Sequence, residues 1–563
     1  MKNNNITTAL GYTTGIVLAI CCFFYFRYLV PYHLCFKEQI QLFVYSSTYL
    51  LTYFSKPAVL ACLVGDFLIQ FFYFKGIGPV IVTLLLAVEW LLVFHALKQF
   101  SVKRYALLWS FLPVIIEWLT IPYAFSVALS VSFIIALSAF ILYTKFNRII
   151  VVLAMIPVLY IFAGASVFLF LLLVVSYDIL YGRKRYVYWI IMLGLAFSIP
   201  LFLRYIYFLT YNQAYFYPYS GFKQALSFVT LVFIVLLFVC FKRLRGQNAD
   251  IRYLAVTLII LVTVLVTGIV KTTNRNQEYL FGMLVESYHN NWDKVLNIAE
   301  KANLQNSIAS CYTNMALSKK SLLGERLMDF YQPSISGLLL PNTPGVSWFT
   351  IFACNDAYYH VGDIDMAQHA AMLALISSPF QRSVRMVERL VETNMSNGDI
   401  AVSMKYIRML ESTLFHKKKP DLFENKSNVM TFEKDVIRKA SNKQILLELL
   451  TESNPDNIPA LDYLLCYYLL TKDIHAFFKV YTSCYKGKFN HVPKVYAQAL
   501  LIYFDSMKSS AEEIASYNIQ PEITKSFNEY INLHRLSNGN YNSMQKKFPN
   551  TYWLYYQFAI TNN

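Results

Sequence analysis

The chain has 563 residues, of which 56% are hydrophobic and 15% charged, against about 25% charged in soluble domains. Residues 1–271 carry 20 Lys and Arg but 6 Asp and Glu, a net charge of +14, whereas residues 272–563 carry 29 and 27, a net charge of +2. Because the basic residues of the first half stand between apolar runs, the distribution excludes a nucleic-acid-binding protein and indicates a membrane protein.

The first half is predicted to be a polytopic transmembrane domain, residues 1–271. An apolar stretch of about 20 residues crosses the hydrocarbon core as a helix with its backbone hydrogen bonds satisfied internally. The sequence predicts nine spans, at residues 9–26, 79–97, 105–119, 123–143, 149–162, 164–180, 187–203, 224–241 and 253–270.

Basic clusters orient these spans. They follow the second, fourth, sixth and eighth span, which places those loops in the cytoplasm by the positive-inside rule. The N-terminus is then expected in the cytoplasm, and the chain leaves the ninth span on the outer side. We therefore expect a multi-pass protein of the bacterial inner (plasma) membrane whose second half is periplasmic.

A long loop, residues 28–78, separates the first two spans. Its apolar segments at residues 40–54 and 58–74 are interrupted by polar side chains and fit helices that lie in the membrane interface. If both segments cross the membrane the topology is unchanged, but if only one does, it inverts.

The second half, residues 272–563, is predicted to be a soluble, all-α domain. Polar turns containing aspartate recur between amphipathic segments, at separations of one or two multiples of a period near the 34 residues of tetratricopeptide repeats. Aspartate suits these turns because its side chain caps the next helix. The sequence predicts a solenoid of such repeats, whose concave face would bind a protein or peptide; its turn aspartates are Asp293, Asp363, Asp399 and Asp473.

Most familiar catalytic signatures are missing from the sequence. There is no phosphate-binding G-x-x-x-x-G-K-[ST] loop, no G-x-S-x-G elbow, no H-E-x-x-H zinc helix and no cluster with metal-ligand spacing. The sequence identifies no particular cofactor. The informative residues are the polar ones at membrane depth or at the outer face, because charges there are costly and tend to be functional; they include Glu38, Asp66, Glu89 and Glu117.

The order of these elements resembles the C-type glycosyltransferase superfamily. A first span, a long outer loop with an acid soon after the membrane exit, further spans and, in some members, a terminal tetratricopeptide array are shared features. The resemblance implies transfer of sugar from a polyprenyl-phosphate carrier, with a loop carboxylate as general base and cations on the phosphate. It implies Glu38 as the base, with Asp66 second, and Arg27, Lys37, Arg204 and Lys223 as phosphate contacts. Glu38 is followed by Gln39, where that superfamily usually has a second acid.

The chain also resembles uncharacterised bacterial membrane families that join such spans to a periplasmic helical domain. The segments around Glu38-Gln39, Gly65-Asp66-Phe67 and Asn314-Met315-Ala316-Leu317 carry this likeness. It implies no activity, and Glu38 and Asp66 would then be solvated or paired with Lys37 and Lys56.

Two functions stay open at this point. The first is an envelope glycosyltransferase or polymerase, metal-independent or metal-assisted, that uses a lipid-linked sugar. The second is a membrane scaffold that recruits envelope proteins through its repeats. Membrane lipid is an expected partner in both cases, and nucleic acid in neither.

Overall fold

The protein is helical throughout the part described. The computed structural model describes residues 2–101, 103–122, 126–146, 149–183, 185–219, 222–241, 251–341, 346–379, 381–417, 442–488 and 491–560. Every regular element in these ranges is an α-helix or a short 3₁₀ or π-helical turn. The all-α prediction is confirmed.

The chain forms two compact units. The first comprises Met1–Arg275 together with the short segment Glu411–Lys417, and the second comprises Asn276–Leu410 with Lys418–Asn563. The composition changes at almost the same place, after Lys271. The segment Glu411–Lys417 is the exception, because it packs with the first unit although its sequence belongs to the second half.

The first unit contains fourteen α-helices among its described residues. In chain order they are α1 (Lys2–Phe24), α2 (Pro31–Gln39), α3 (Ser47–Leu51), α4 (Val59–Ile69), α5 (Ile77–Leu97), α6 (Lys103–Trp109), α7 (Phe111–Thr120), α8 (Ala128–Phe146), α9 (Ile149–Ala163), α10 (Ser166–Leu180), α11 (Tyr186–Tyr207), α12 (Tyr211–Phe216), α13 (Leu226–Cys240) and α14 (Ile251–Thr272).

Helix α8 lies at the centre of this unit. It packs against α4, α5, α9 and α10. Of its apolar stretch 56% is buried, compared with 17% for the apolar stretches of α1 and α11. The outer helices expose side chains such as Ile16 and Ile190, as lipid-facing helices do. The core is built mainly from Phe, Leu, Val and Tyr side chains of α5, α8, α9, α10 and α13.

Five of the nine predicted spans are helices long and apolar enough to cross a membrane. In the described residues they are Gly11–Leu29, Ile77–Leu97, Ala128–Phe146, Tyr186–Tyr207 and Ala255–Thr272. The prediction of nine was wrong, because the other four form apolar helices of 10–17 residues. A helix of fifteen residues rises about 22 Å, less than the roughly 30 Å hydrocarbon core. These shorter helices are Tyr105–Thr120, Ile150–Ala163, Ser166–Leu180 and Leu226–Cys240.

The loop at residues 28–78 is largely helical but more broken than predicted. Helix α2 occupies its start, where no helix was predicted. The segment 40–54 is not a single helix: α3 begins only after the Ser46 cap, and a 3₁₀ turn, Thr52–Ser55, follows it. The segment 58–74 forms α4 and the 3₁₀ turn Gln70–Tyr73.

In the described residues the second unit is a succession of helices, many of them joined by short turns. They are α15 (Arg275–Tyr288), α16 (Trp292–Ala302), α17 (Ser307–Lys319), α18 (Leu323–Arg326), α19 (Trp348–Val361), α20 (Ile364–Ser377), α21 (Val384–Ser396), α22 (Ile400–Glu411), α23 (Lys443–Ser453), α24 (Ile458–Thr471), α25 (Ile474–Val480), α26 (Lys494–Met507), α27 (Ala511–Ala515), α28 (Pro521–Leu536), α29 (Tyr541–Lys547) and α30 (Tyr552–Phe558).

The predicted helix capping by aspartate is confirmed at two of the four predicted turns. Asp363 caps α20 by accepting from the backbone N–H of Met366 at 3.0 Å, and Asp473 caps α25 in the same way. Gly362, just before Asp363, has the positive φ (91°) that a helix end of this kind requires. Asp293 instead lies inside the first turn of α16 and pairs with Lys320.

Candidate functional site

Helix α2 carries the predicted catalytic acid and is buried along most of its length. Pro31 occupies its first turn, where a missing N–H is harmless. Seven of its nine residues are buried, and three of these seven carry a charge or can acquire one. These three, His33, Lys37 and Glu38, point to different surroundings. A short helix that buries so many polar groups is unusual and marks the region as a candidate site.

Glu38 is paired with a histidine from the far end of the chain. Its side chain is 6% exposed, and its Oε1 lies 2.7 Å from Nε2 of His416, which is also buried. The interpretation in which Glu38 is solvated or paired with Lys37 or Lys56 is therefore wrong. A buried carboxylate needs such a partner because desolvation would otherwise disfavour its charge.

The segment that supplies His416 is fixed to the loop of residues 28–78 at several points. The backbone N–H of Tyr45 donates to the Ser412 carbonyl oxygen at 2.7 Å. The ring of Phe415 stacks on Tyr73 with centroids 5.6 Å apart and meets the edge of Phe74 at 5.2 Å. These contacts fix the backbone of the segment and thereby hold the His416 imidazole against Glu38.

Asp66, the second predicted acid, is held by a tyrosine. The Tyr53 hydroxyl donates to Asp66 Oδ2 at 2.8 Å, and burial, reinforced by this carboxylate, raises the Tyr53 pKa. The Gln41 amide donates to the Asp66 backbone oxygen at 3.0 Å. Gln41 lies two residues after the end of α2, so Asp66 and Glu38 lie in one local region, each with its own partner.

Lys37 faces the interior of the first unit. It is 1% exposed, and its Nζ donates to the Ile121 carbonyl oxygen at 2.9 Å. It lines a cavity of about 20 Å³ with Glu117 and Ser130, a volume that holds one or two waters rather than a phosphate group. Burial lowers the pKa of Lys37 to about 7.

The remaining predicted phosphate contacts lie apart from one another. Arg27 is in the π-helical turn just before α2, and its Nη1 donates to the Lys75 carbonyl oxygen at 3.3 Å. Arg204, at the end of α11, lies over the Tyr211 ring at 3.8 Å and donates to the Leu209 carbonyl oxygen. The Lys223 side chain lies outside the described residues.

Two kinds of site residue were not predicted from the sequence. His416 and Phe415 gave no signal, because nothing near them in sequence shows that they pack against α2. Ser130 and Ser227 were also missed, although both hydroxyls donate to Glu117, which had been singled out. Within the described residues no group of three or more His, Cys, Asp and Glu is arranged to hold a metal ion.

Comparisons with known proteins give a family but no activity. No curated protein matches the sequence, and no solved structure does either. The model of a family described as a family of unknown function, DUF6057, matches residues 6–559, almost the whole chain. The chain therefore belongs to the family of unknown function DUF6057.

Proposed function

We propose that the chain is a membrane-embedded glycosyltransferase that uses a polyprenyl-phosphate sugar. The observation that supports it best is the buried Glu38–His416 pair at 2.7 Å. A carboxylate oriented by an imidazole is a common arrangement for acid–base catalysis, and buried titratable pairs concentrate at functional sites. The resemblance in element order to C-type glycosyltransferases supplies the reaction class.

In this proposal Glu38 is the general base. His416 holds its Oε1, and its Oε2 takes the proton from the acceptor hydroxyl as the acceptor oxygen bonds to the sugar carbon. The bond between that carbon and the phosphate oxygen breaks, and the polyprenyl phosphate leaves. Asp66, fixed by Tyr53 at 2.8 Å, is the second candidate for the base.

Cations near the start of α2 would stabilise the leaving phosphate. Arg27 lies there beside Lys75, whose Nζ is 5.0 Å from the Tyr32 ring. These two side chains are better placed than Lys37, which faces the small internal cavity. Arg204 and Lys223 stay candidates from the sequence.

We further propose the placement expected from the charge pattern. An odd number of crossings, five as well as nine, would put the N-terminus and the second unit on opposite sides of the membrane. The N-terminus would be cytoplasmic and the second unit periplasmic in a bacterial inner membrane, as the basic clusters between the nine predicted spans imply. The second unit would be a stack of tetratricopeptide-like repeats that binds the acceptor. Alkaline phosphatase fused after residue 563 should then be active, and a green fluorescent protein at the same point should not fluoresce.

The decisive experiment compares matched variants of the full chain. Glu38→Gln and His416→Gln should abolish or greatly reduce glycan incorporation into the cell envelope while expression and membrane insertion persist. Glu411→Gln is the control, since this exposed carboxylate lies five residues before His416. Purified protein should also bind a polyprenyl phosphate, and Arg27→Gln should weaken that binding.

A scaffold is the alternative that the same experiment would reveal. The capped helical hairpins at Asp363 and Asp473 suit a partner-binding array. Unchanged envelope glycans in the Glu38→Gln/His416→Gln double variant would reject the transferase. Crosslinking of envelope proteins to the second unit would then support recruitment as the function.

A further inference from the structure

Two carboxyl groups lie inside the helical bundle with very different surroundings. Glu89, in the middle of α5, is 0% exposed, and neither of its carboxylate oxygens has a hydrogen-bond partner in the described residues. Glu117, near the end of α7, accepts from the Ser130 hydroxyl at 2.9 Å and from the Ser227 hydroxyl at 2.6 Å. The two carboxyls are close enough to interact electrostatically.

Glu117 has more hydrogen-bond donors than Glu89, and this difference decides which of the two carboxylates would hold a proton. Ser130 also lies within reach of Glu89 and interacts with it, but the hydrogen bond that its hydroxyl donates, at 2.9 Å, goes to Glu117 Oε1. The two hydroxyls stabilise the charged form of Glu117 more than that of Glu89. Neither Glu89 oxygen accepts a hydrogen bond of good geometry from the described residues, and an ionised carboxylate in that position is strongly disfavoured in an apolar interior. A proton on Glu89 removes that penalty.

Lys37 connects this pair to α2 through the small cavity. The cavity is lined by Lys37, Glu117 and Ser130 and has room for one or two waters. When both are ionised, the Glu117 carboxylate and the Lys37 ammonium place one negative and one positive charge on the wall of this cavity. Because burial lowers the pKa of Lys37 to about 7, Lys37 can take up or release a proton near neutral pH.

We propose that Glu89 is the proton-binding residue of an exchange site inside the bundle, connected through Ser130, Glu117 and the water-sized cavity to Lys37. The ligand is a single proton, which adds to one carboxylate oxygen of Glu89 and is released from the same atom. Among the described residues, the polar groups that also face the cluster include Thr120 and Ser126, which line the cavity, Ser227, which donates to Glu117, Tyr219, which lies near both carboxyls, and His33, which lies near Lys37. The site is separate from the Glu38–His416 pair and does not depend on the proposed glycosyl transfer.

Carbodiimide labelling of the purified full-length protein tests this proposal. Dicyclohexylcarbodiimide attaches to protonated carboxyl groups in apolar surroundings, and peptide mass spectrometry locates the adduct. The expected result is labelling at Glu89 rather than Glu117 or Glu38. Above the pKa of Glu89 the labelling should fall about tenfold per pH unit as its proton is lost. The Glu89→Gln variant should lose the adduct, and Lys37→Met should shift the pH midpoint.

Three outcomes would overturn the proposal. Absence of a Glu89 adduct at every pH would mean that the residue is not a protonated, reachable acid. Labelling that does not change with pH would identify an inert buried acid. Protection by Na⁺ at constant pH would assign the site to a metal cation instead of a proton. Circular dichroism of Glu89→Gln, which is nearly isosteric, checks that the bundle still folds.

Discussion

The Nε2 atom of His416 lies 2.7 Å from Oε1 of Glu38, although 378 residues separate the two in the chain. The pair is formed within one compact unit, because the segment Glu411–Lys417 packs with Met1–Arg275. Both side chains are buried. Each therefore depends on the other for a hydrogen bond that water would otherwise supply.

This dependence predicts strong coupling between the two residues. Glu38→Met or His416→Leu alone should lower the free energy of unfolding by about 3 kcal/mol, because each leaves a buried polar group without its partner. The double variant should lose clearly less than the sum, with a coupling energy of about 1–3 kcal/mol. Chemical unfolding in detergent micelles measures all three. Strictly additive losses would mean that the contact does not exist in the folded protein.

Lys37 gives the protein a predictable pH dependence. Its pKa is about 7 in the folded state, below the ordinary value of 10.5, because burial disfavours its charge. The unfolded chain therefore binds this proton more tightly than the folded chain does. Below about pH 7 Lys37 is protonated in both states, and the full cost of burying its charge lowers the stability. Stability should rise with pH between about 7 and 10.5 as the unfolded chain loses the proton.

Lys37→Met should remove this dependence and raise stability at pH 7 by about 2–4 kcal/mol. Thermal unfolding at several pH values makes the comparison. Lys98→Met is the matched control, since Lys98 is exposed at the end of α5 and its removal should leave the pH profile unchanged. A Lys37→Met profile as steep as that of the wild type would contradict this assignment.

The second unit depends on a buried charge network around Asp356. Its Oδ2 accepts from the Arg385 guanidinium at 2.5 Å and from the Tyr312 hydroxyl at 2.6 Å, and its Oδ1 accepts from Arg389 at 3.1 Å. Asp356→Ala should destabilise this unit by about 3–5 kcal/mol, because it leaves buried guanidinium charge uncompensated.

A surface ion pair provides the control for that change. Asp293 pairs with Lys320 at 2.8 Å, but the Asp293 side chain is 75% exposed. Asp293→Ala should therefore change stability by less than about 1 kcal/mol. Calorimetry of the full chain can compare the two variants. Equal effects would show that burial does not set the strength of the Asp356 network.

Composition and periodicity were sufficient for the helical class but not for the number of spans. Hydropathy reports how apolar a segment is, whereas crossing a membrane also needs length. Helices α10 and α13 are strongly apolar but have fifteen residues each. The predicted spans 164–180 and 224–241 end within one residue of these helices, so the error lay in counting such short helices as spans.

In the candidate site, too, some residues can be recognised from the local sequence and others only from the folded structure. Glu38 and Asp66 were found because they are acids beside apolar runs, which is a local property. His416 was missed because only the folded chain brings it to Glu38. The hydroxyls of Ser130 and Ser227 were missed for the same reason, since serine in an apolar helix commonly bonds to its own backbone.

Gly65 permits the close approach of α4 to the central helix. A Cβ added there would lie 2.6 Å from the backbone nitrogen of Ala128 and 2.8 Å from its Cα. These are backbone atoms of α8 and cannot move aside as a flexible side chain would. Gly65→Ala should therefore force the helices apart and lower stability by about 1–3 kcal/mol.

The same displacement would act on the candidate site, because Asp66 follows Gly65 directly and accepts from Tyr53. Gly194→Ala is the control: this glycine lies within α11 with nothing within 4 Å of an added Cβ. Alanine is the better helix former, so this variant should be neutral or up to about 1 kcal/mol more stable. Thermal unfolding in the same detergent compares them. If Gly65→Ala is as stable as Gly194→Ala, the contact between α4 and α8 is looser than 2.6 Å implies, and Asp66 is not held by it.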